Sequence, residues 1–123
     1  MLVKELMKKV KVIDKDIDLE KASKIMSSED ISSLIFVNKD KIIGIITHED
    51  LVENFGKRKK VYEVMTKKVI TISSEDKIDK AIETMKKNKI RLLPVIDAHG
   101  HLVGIISAKE LLGKSDDEDF LFE

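Results

Sequence analysis

Cysteine and tryptophan are absent from this 123-residue chain, proline occurs once, and the aromatic side chains are four Phe and one Tyr. Without cysteine there can be no disulfide, no thiolate nucleophile and no Cys-ligated zinc. Neither sign of charge is in excess: 23 basic and 23 acidic residues give a formal net charge of zero. That balance removes any global electrostatic case for nucleic acid or a membrane surface as partner. No apolar run is long enough to span a bilayer, and the opening MLVKELMKK has no stretch resembling a signal peptide, so a cytoplasmic setting is expected. Neither Walker nor Rossmann glycine spacing occurs, and no Ser-His-Asp arrangement is recognisable. Catalysis has no visible residues to rest on, and the expectation is a protein that is not an enzyme.

What is present is a repeat. Met7 matches Met65, Ile13 matches Ile72, Ala22 matches Ala81, Met26 matches Met85, Ile31 matches Ile90, Gly44 matches Gly104 and Leu51 matches Leu111. The offset grows from 58 to 60 along the chain, one residue being added near Lys68 and one near His99. Loops absorb such insertions. A unit of this size rarely holds a sizeable core alone, so the two copies are expected to pack together about a pseudo-two-fold axis.

Each copy reads as short helix, strand, helix, strand, strand, helix. In the second, Val69 to Ile72 is a candidate strand, and Ser73-Ser74-Glu75-Asp76 supplies cap residues and acids for a helix start. Ile78, Ala81, Ile82 and Met85 then follow at helical spacing, as Leu19, Ala22, Ile25 and Met26 do in the first copy. Leu34 to Val37, Ile42 to Ile46, Leu92 to Ile96 and Leu102 to Ile106 are apolar strands separated by turn residues. Strands this apolar need cover on both faces, so the fold class is α/β (α+β), small sheets under helices. The boundaries are a first domain over 1–56, a basic linker over 57–60, a second domain over 61–113 and an acidic tail over 114–123 expected to be disordered.

The sharpest local match is Gly44-Ile45-Ile46-Thr47-His48-Glu49-Asp50 with Gly104-Ile105-Ile106-Ser107-Ala108-Lys109-Glu110. Each has a strand end, a hydroxyl residue and a carboxylate three positions later. One reading is a capping box, with Asp50 or Glu110 accepting from the cap's own backbone N–H. Another is a nucleotide site, with the hydroxyl and nearby N–H groups donating to phosphate and the carboxylate accepting from ribose hydroxyls. Duplication does not separate the two. His99-Gly100-His101 lacks the further ligands that zinc needs and reads as turn residues, so no metal is expected. The Lys57 to Lys60 run reads as a solvated linker, nucleic-acid contact through it being a weak alternative without aromatics nearby.

In this order and twice over, the Val61-Tyr62-Glu63-Val64-Met65-Thr66 turn, the Leu93-Pro94-Val95-Ile96-Asp97 strand and the two Gly-x-x-[Ser/Thr]-x-x-acid segments resemble a tandem pair of CBS domains, a Bateman module. The resemblance covers Val3 to about Gly113. It implies two β-α-β-β-α repeats and a regulatory role, sensing an adenine nucleotide, S-adenosylmethionine or methylthioadenosine in a cleft between the repeats. It also implies a homodimer formed through helices carrying Leu51, Val52, Phe55, Leu111 and Leu112, and an effector protein that the sequence does not identify. No cofactor is expected beyond that regulatory ligand. By the same resemblance Thr47 and Asp50 match a phosphate- and ribose-contacting pair, Ser107 matches the hydroxyl of the second, and Glu110 stands where the family usually has Asp. Val12, Ile13, Thr71 and Ile72 fall where a first strand meets the base. Pro94 matches the family's strand proline, with Ile35 in its place in the first copy. Arg91 matches a phosphate-facing basic position whose counterpart is Ser32, and His48 and Lys109 lie beside the carboxylates. The competing reading is a ligand-free structural adaptor or dimerisation module.

Overall fold

Two amphipathic helices supply the buried stripes on which each half of the chain is built. The computed structural model describes Met1 to Leu112; the acidic tail lies outside the described residues. The elements, in order, are α1 (Val3–Leu6), β1 (Val12–Ile13), α2 (Leu19–Ser28), β2 (Ser33–Asn38), β3 (Lys41–Thr47), α3 (His48–Glu53), α4 (Val61–Val64), β4 (Ile72–Ser73), α5 (Ile78–Asn88), β5 (Leu92–Ile96), β6 (Leu102–Ser107) and α6 (Ala108–Leu111). This is a mixed α/β architecture with two three-stranded sheets, ordered β1-β2-β3 and β4-β5-β6. In each sheet the short first strand runs parallel to the central strand, and the central and last strands form an antiparallel hairpin.

On α2 the buried residues are Leu19, Ala22 and Met26; on α5 they are Ile78, Ala81, Ile82 and Met85, the spacing of a single helical face. Both helices end alike. Asp30 and Lys89 turn left-handed, and the N–H groups of Ile31 and Ile90 reach back to the carbonyls of Met26 and Met85, each at 3.0 Å. That six-to-one bond is the Schellman closure, which an apolar pair at these two positions, here Met and Ile in both copies, frequently accompanies.

The starts of the helices differ. Asp18 caps α2 by accepting from Lys21 N–H at 2.7 Å. The acids ahead of α5 do not cap it: its cap residue is Lys77, Ser73 belongs to β4, and Asp76 accepts from the Ser73 backbone N–H at 3.0 Å. The Ser-Ser-Glu-Asp cluster therefore closes a turn, because Asp and Ser serve turns as readily as caps. The hairpins differ too. Lys39 and Asp40, both with positive φ, form the two-residue loop between Asn38 and Lys41, as a primed turn requires. The second loop has one residue more and uses Gly100 at φ 78°.

The chain divides into two compact units, and they are not the two sequence copies. One unit is Val10–Val69; the other joins Met1–Lys9 to the chain from Ile70 onward. The leading segment of each copy packs on the sheet of the other. Val3, Leu6 and Met7 join a core of Ile72, Ile78, Ala81, Ile82, Met85, Leu93, Val95, Ile106 and Leu111. Val61, Val64 and Met65 join Leu19, Ala22, Met26, Leu34, Phe36 and Ile46. Lys8 exchanges two backbone hydrogen bonds with Ile105, at 2.8 and 2.9 Å, as Thr66 does with Ile45 at 2.9 and 3.0 Å.

This exchange explains the duplicated methionine and glycine pairs. Met65 lies over Gly44, where an added Cβ would run into its sulfur, and Met7 lies over Gly104, where an added Cβ would sit 2.8 Å from the sulfur. At Gly104 the Lys8 carbonyl is also only 2.9 Å away, and backbone cannot swing aside as a side chain can. Gly104→Ala is therefore expected to cost about 1–3 kcal/mol, the range for overpacking. Urea unfolding measures it; a change within about 0.5 kcal/mol, the scale of an unconstrained surface substitution, would show that the segment does not press on β6.

Candidate strand–helix ligand motifs

The hydroxyl–carboxylate motif sits where the last strand of each sheet becomes a helix. In the Val10–Val69 unit, Thr47 ends β3 and its backbone N–H donates to Asp50 Oδ2 at 2.8 Å, with its hydroxyl 3.3 Å from the same oxygen. The capping interaction is thus present. It occupies one carboxylate oxygen: among the described residues Oδ1 of Asp50 accepts no hydrogen bond. A half-buried carboxylate with one oxygen anchored and the other open can orient a diol without losing its cap. His48, the next residue, is exposed, and its N–H donates to the Ser32 carbonyl at 3.3 Å.

Val12 and Ile13 lie on β1 of the same sheet. Val12 stands opposite Ile35, and Thr47 opposite Ser33, two residues further along β2. Two strand spacings across and two residues along put Val12 about 12 Å from Thr47, the scale of one nucleoside. Val12 remains partly exposed, whereas Ile13 packs against the core.

In the other unit Ser107 ends β6, and its hydroxyl donates to Glu110 Oε2. The extra methylene changes what the carboxylate meets: Oε1 of Glu110 faces the Lys8 ammonium at 3.9 Å. Lys109 is exposed, and so is Arg91, whose carbonyl accepts from Ala108 N–H at 2.8 Å and places Arg91 beside the start of α6. Thr71 is half-buried just ahead of β4, and Ile72 is in the core.

Pro94 is buried in the central strand β5, a position where its missing N–H matters. Its counterpart Ile35 donates to the Lys11 carbonyl at 3.3 Å. Pro94 has no N–H to donate in the same way to the Ile70 carbonyl, which stands in the place of Lys11.

The two histidines serve the hairpin. Asp97 accepts from the N–H groups of His99 and His101, each at 2.9 Å, and the His101 N–H above all holds its carboxyl below the ordinary range. Lys8 is the residue that sequence reasoning missed. It lies far from Glu110 in the chain, and the only signal for it was the repeat of the leading segment, whose exchange between units no local pattern reveals.

A family model for the CBS domain matches residues 3–57 and again 61–117. The chain belongs to the CBS-domain family. As a CBS pair it is similar to an inosine-5′-monophosphate dehydrogenase of Thermoplasma acidophilum, 39% identical over 87% of this chain but only 22% of that enzyme. The chain thus spans about a fifth of that enzyme's length, and it matches the enzyme only over its CBS part. It is also similar to the uncharacterised protein MJ1426 of Methanocaldococcus jannaschii, 29% identical over 91% of this chain and 89% of that one. Among solved structures, the CBS pair of protein MJ0100 in complex with 5′-methylthioadenosine and S-adenosyl-L-methionine is 30% identical, with a TM-score of 0.85 over 94% of this chain and 98% of that one. A CBS protein of Pyrobaculum aerophilum complexed with AMP shares the fold at 16% identity, with a TM-score of 0.84 over 99% of this chain and 96% of that one. No helix among the described residues is long and apolar enough to cross a membrane.

Proposed function

We propose that this CBS pair is a regulatory module, not an enzyme, that senses an adenosine-containing small molecule. The observation that carries the reading is the Thr47–Asp50 geometry, one carboxylate oxygen fixed by the cap and the other open, on the same sheet as the partly exposed Val12. The adenosyl ligands held by a relative 30% identical to this chain support it. Val12, Ile13, Thr47, His48 and Asp50 would form one ligand surface, and Thr71, Ile72, Arg91, Pro94, Ser107, Lys109 and Glu110 another. No cofactor is required. A ligand acts by binding one conformational state of the module better than another, which shifts its population and is read by an effector protein in the cytoplasm. Thermal-shift measurements with AMP, ADP, ATP, S-adenosylmethionine and methylthioadenosine test this. At least one should raise the melting temperature in a concentration-dependent way, as ligand linkage demands; no shift with any of them would favour a ligand-free adaptor.

The module is further proposed to be a homodimer. Leu111 is spent inside its own core and Leu51 packs against its own, but Val52, Phe55 and Leu112 are 74%, 89% and 59% exposed. Self-association through these apolar residues is the symmetric way to cover them. Light scattering across a dilution series should report twice the 14.0 kDa chain mass; only monomer at every concentration would refute it.

A further inference from the structure

The two motifs differ more in charge than in shape. Lys8 and Thr66 occupy equivalent places, each exchanging two backbone hydrogen bonds with the last strand of its unit, at Ile105 and Ile45. Arg91 and Ser32 are equivalent as well, their carbonyls accepting from the first residues of α6 and α3, Ala108 and His48. The second residues of those helices are Lys109 and Glu49. The places at which the Ser107–Glu110 unit carries three basic residues thus hold two neutral residues and an anion in the Thr47–Asp50 unit, and Lys8 is the one whose ammonium faces Glu110.

Lys8 is the cation whose position is fixed best, because its backbone is zipped to β6. Its ammonium stands 3.9 Å from Glu110 Oε1, and its side chain is 61% exposed against 11% for Glu110. A pair this long and wet is weak. The ammonium can therefore turn to a phosphate, and Glu110 keeps the Ser107 hydroxyl as its hydrogen-bond donor.

We infer that the Ser107–Glu110 motif selects adenosine ligands that carry phosphate, with Lys8 as a specificity-determining residue, and that the Thr47–Asp50 motif selects those without negative charge, a thioether or a sulfonium. The inference rests on the adenosine-sensing reading above and adds which ligand class goes to which unit. An anion and two neutral residues at those places give a phosphate beside Asp50 no counterpart of Lys8; beside Glu110 the Lys8 ammonium supplies a charge-assisted hydrogen bond that methylthioadenosine cannot use.

Calorimetric titration of the full chain with AMP and with methylthioadenosine tests this, in wild type and in Lys8→Met, Lys8→Arg and Thr66→Lys. Lys8→Met retains the apolar stem and should weaken AMP about tenfold while leaving methylthioadenosine within about twofold, one decade being the scale of a single good polar contact. Lys8→Arg should restore AMP binding. Thr66→Lys should strengthen AMP and leave methylthioadenosine unimproved. Raising salt should weaken AMP and spare methylthioadenosine. Equal losses of both ligands in Lys8→Met, or unchanged AMP affinity, would overturn the charge selection while leaving ligand sensing intact. Failure of the wild type to bind AMP and methylthioadenosine would overturn this inference, and failure to bind ADP, ATP and S-adenosylmethionine as well would sink the adenosine reading.

Discussion

Val3→Asp is expected to unfold the unit that joins Met1–Lys9 to the chain from Ile70 onward, not the sequence repeat to which Val3 belongs. Val3 is fully buried among Ile72, Ile78, Ala81, Leu93 and their neighbours, and its backbone N–H donates to the Asp76 carbonyl at 2.8 Å. A carboxylate there has no cationic partner in the core, and an uncompensated buried charge costs about 3–5 kcal/mol. That is a large share of the stability of a small domain. Val61→Asp is the mirror experiment, since Val61 is equally buried and its N–H donates to the Ile17 carbonyl at 2.8 Å. Hydrogen exchange followed by mass spectrometry reads both. Val3→Asp should strip protection from Leu92–Ile96 and Leu102–Ser107, and Val61→Asp from Ser33–Asn38 and Lys41–Thr47. The opposite pairing would show that each copy folds on its own leading segment.

The second large effect is expected at Asp50. Asp50→Ala removes both the cap acceptor and the open oxygen. Loss of the cap should cost about 1 kcal/mol of stability. Loss of the ribose acceptor should weaken methylthioadenosine tenfold or more, about 1.4 kcal/mol or above. Asp50→Asn separates the roles, because its amide oxygen can still accept from Thr47 N–H while its NH2 group cannot accept from a diol. Melting temperature and calorimetric affinity together decide: affinity unchanged while stability falls would leave Asp50 a cap and nothing more.

The elements were legible because their causes are local. Helical spacing of Ile78, Ala81, Ile82 and Met85 located α5, and the continuous apolar run from Leu92 to Ile96 located β5. The start of α5 was not legible, since Ser73 to Asp76 carry the residue types of a cap and of a turn alike, and only the path of the chain decides between them. The hydroxyl–carboxylate motif was legible from its three-residue spacing at a strand end, and the placement of Thr47 and Asp50 follows it. The exchange of leading segments was not. Met7 and Met65 recur in register with everything else, and their partners, Gly104 and Gly44, lie in the other copy. Lys8 stayed hidden for the same reason: its nearness to Glu110 is set by β6 hydrogen bonding across most of the chain's length. The consequence of Pro94 also required the sheet, because only the bond from Ile35 to the Lys11 carbonyl shows which main-chain donor the proline lacks.

An adenosine ligand held at these strand–helix motifs would be visible in a crystal structure of the chain grown with methylthioadenosine. The ribose hydroxyls are expected within hydrogen-bonding distance of Asp50 Oδ1, with the base against the backbone near Val12 and Ile13. Crystals in which the ligand lies away from Asp50, or in which saturating methylthioadenosine leaves both motifs empty, would contradict this placement.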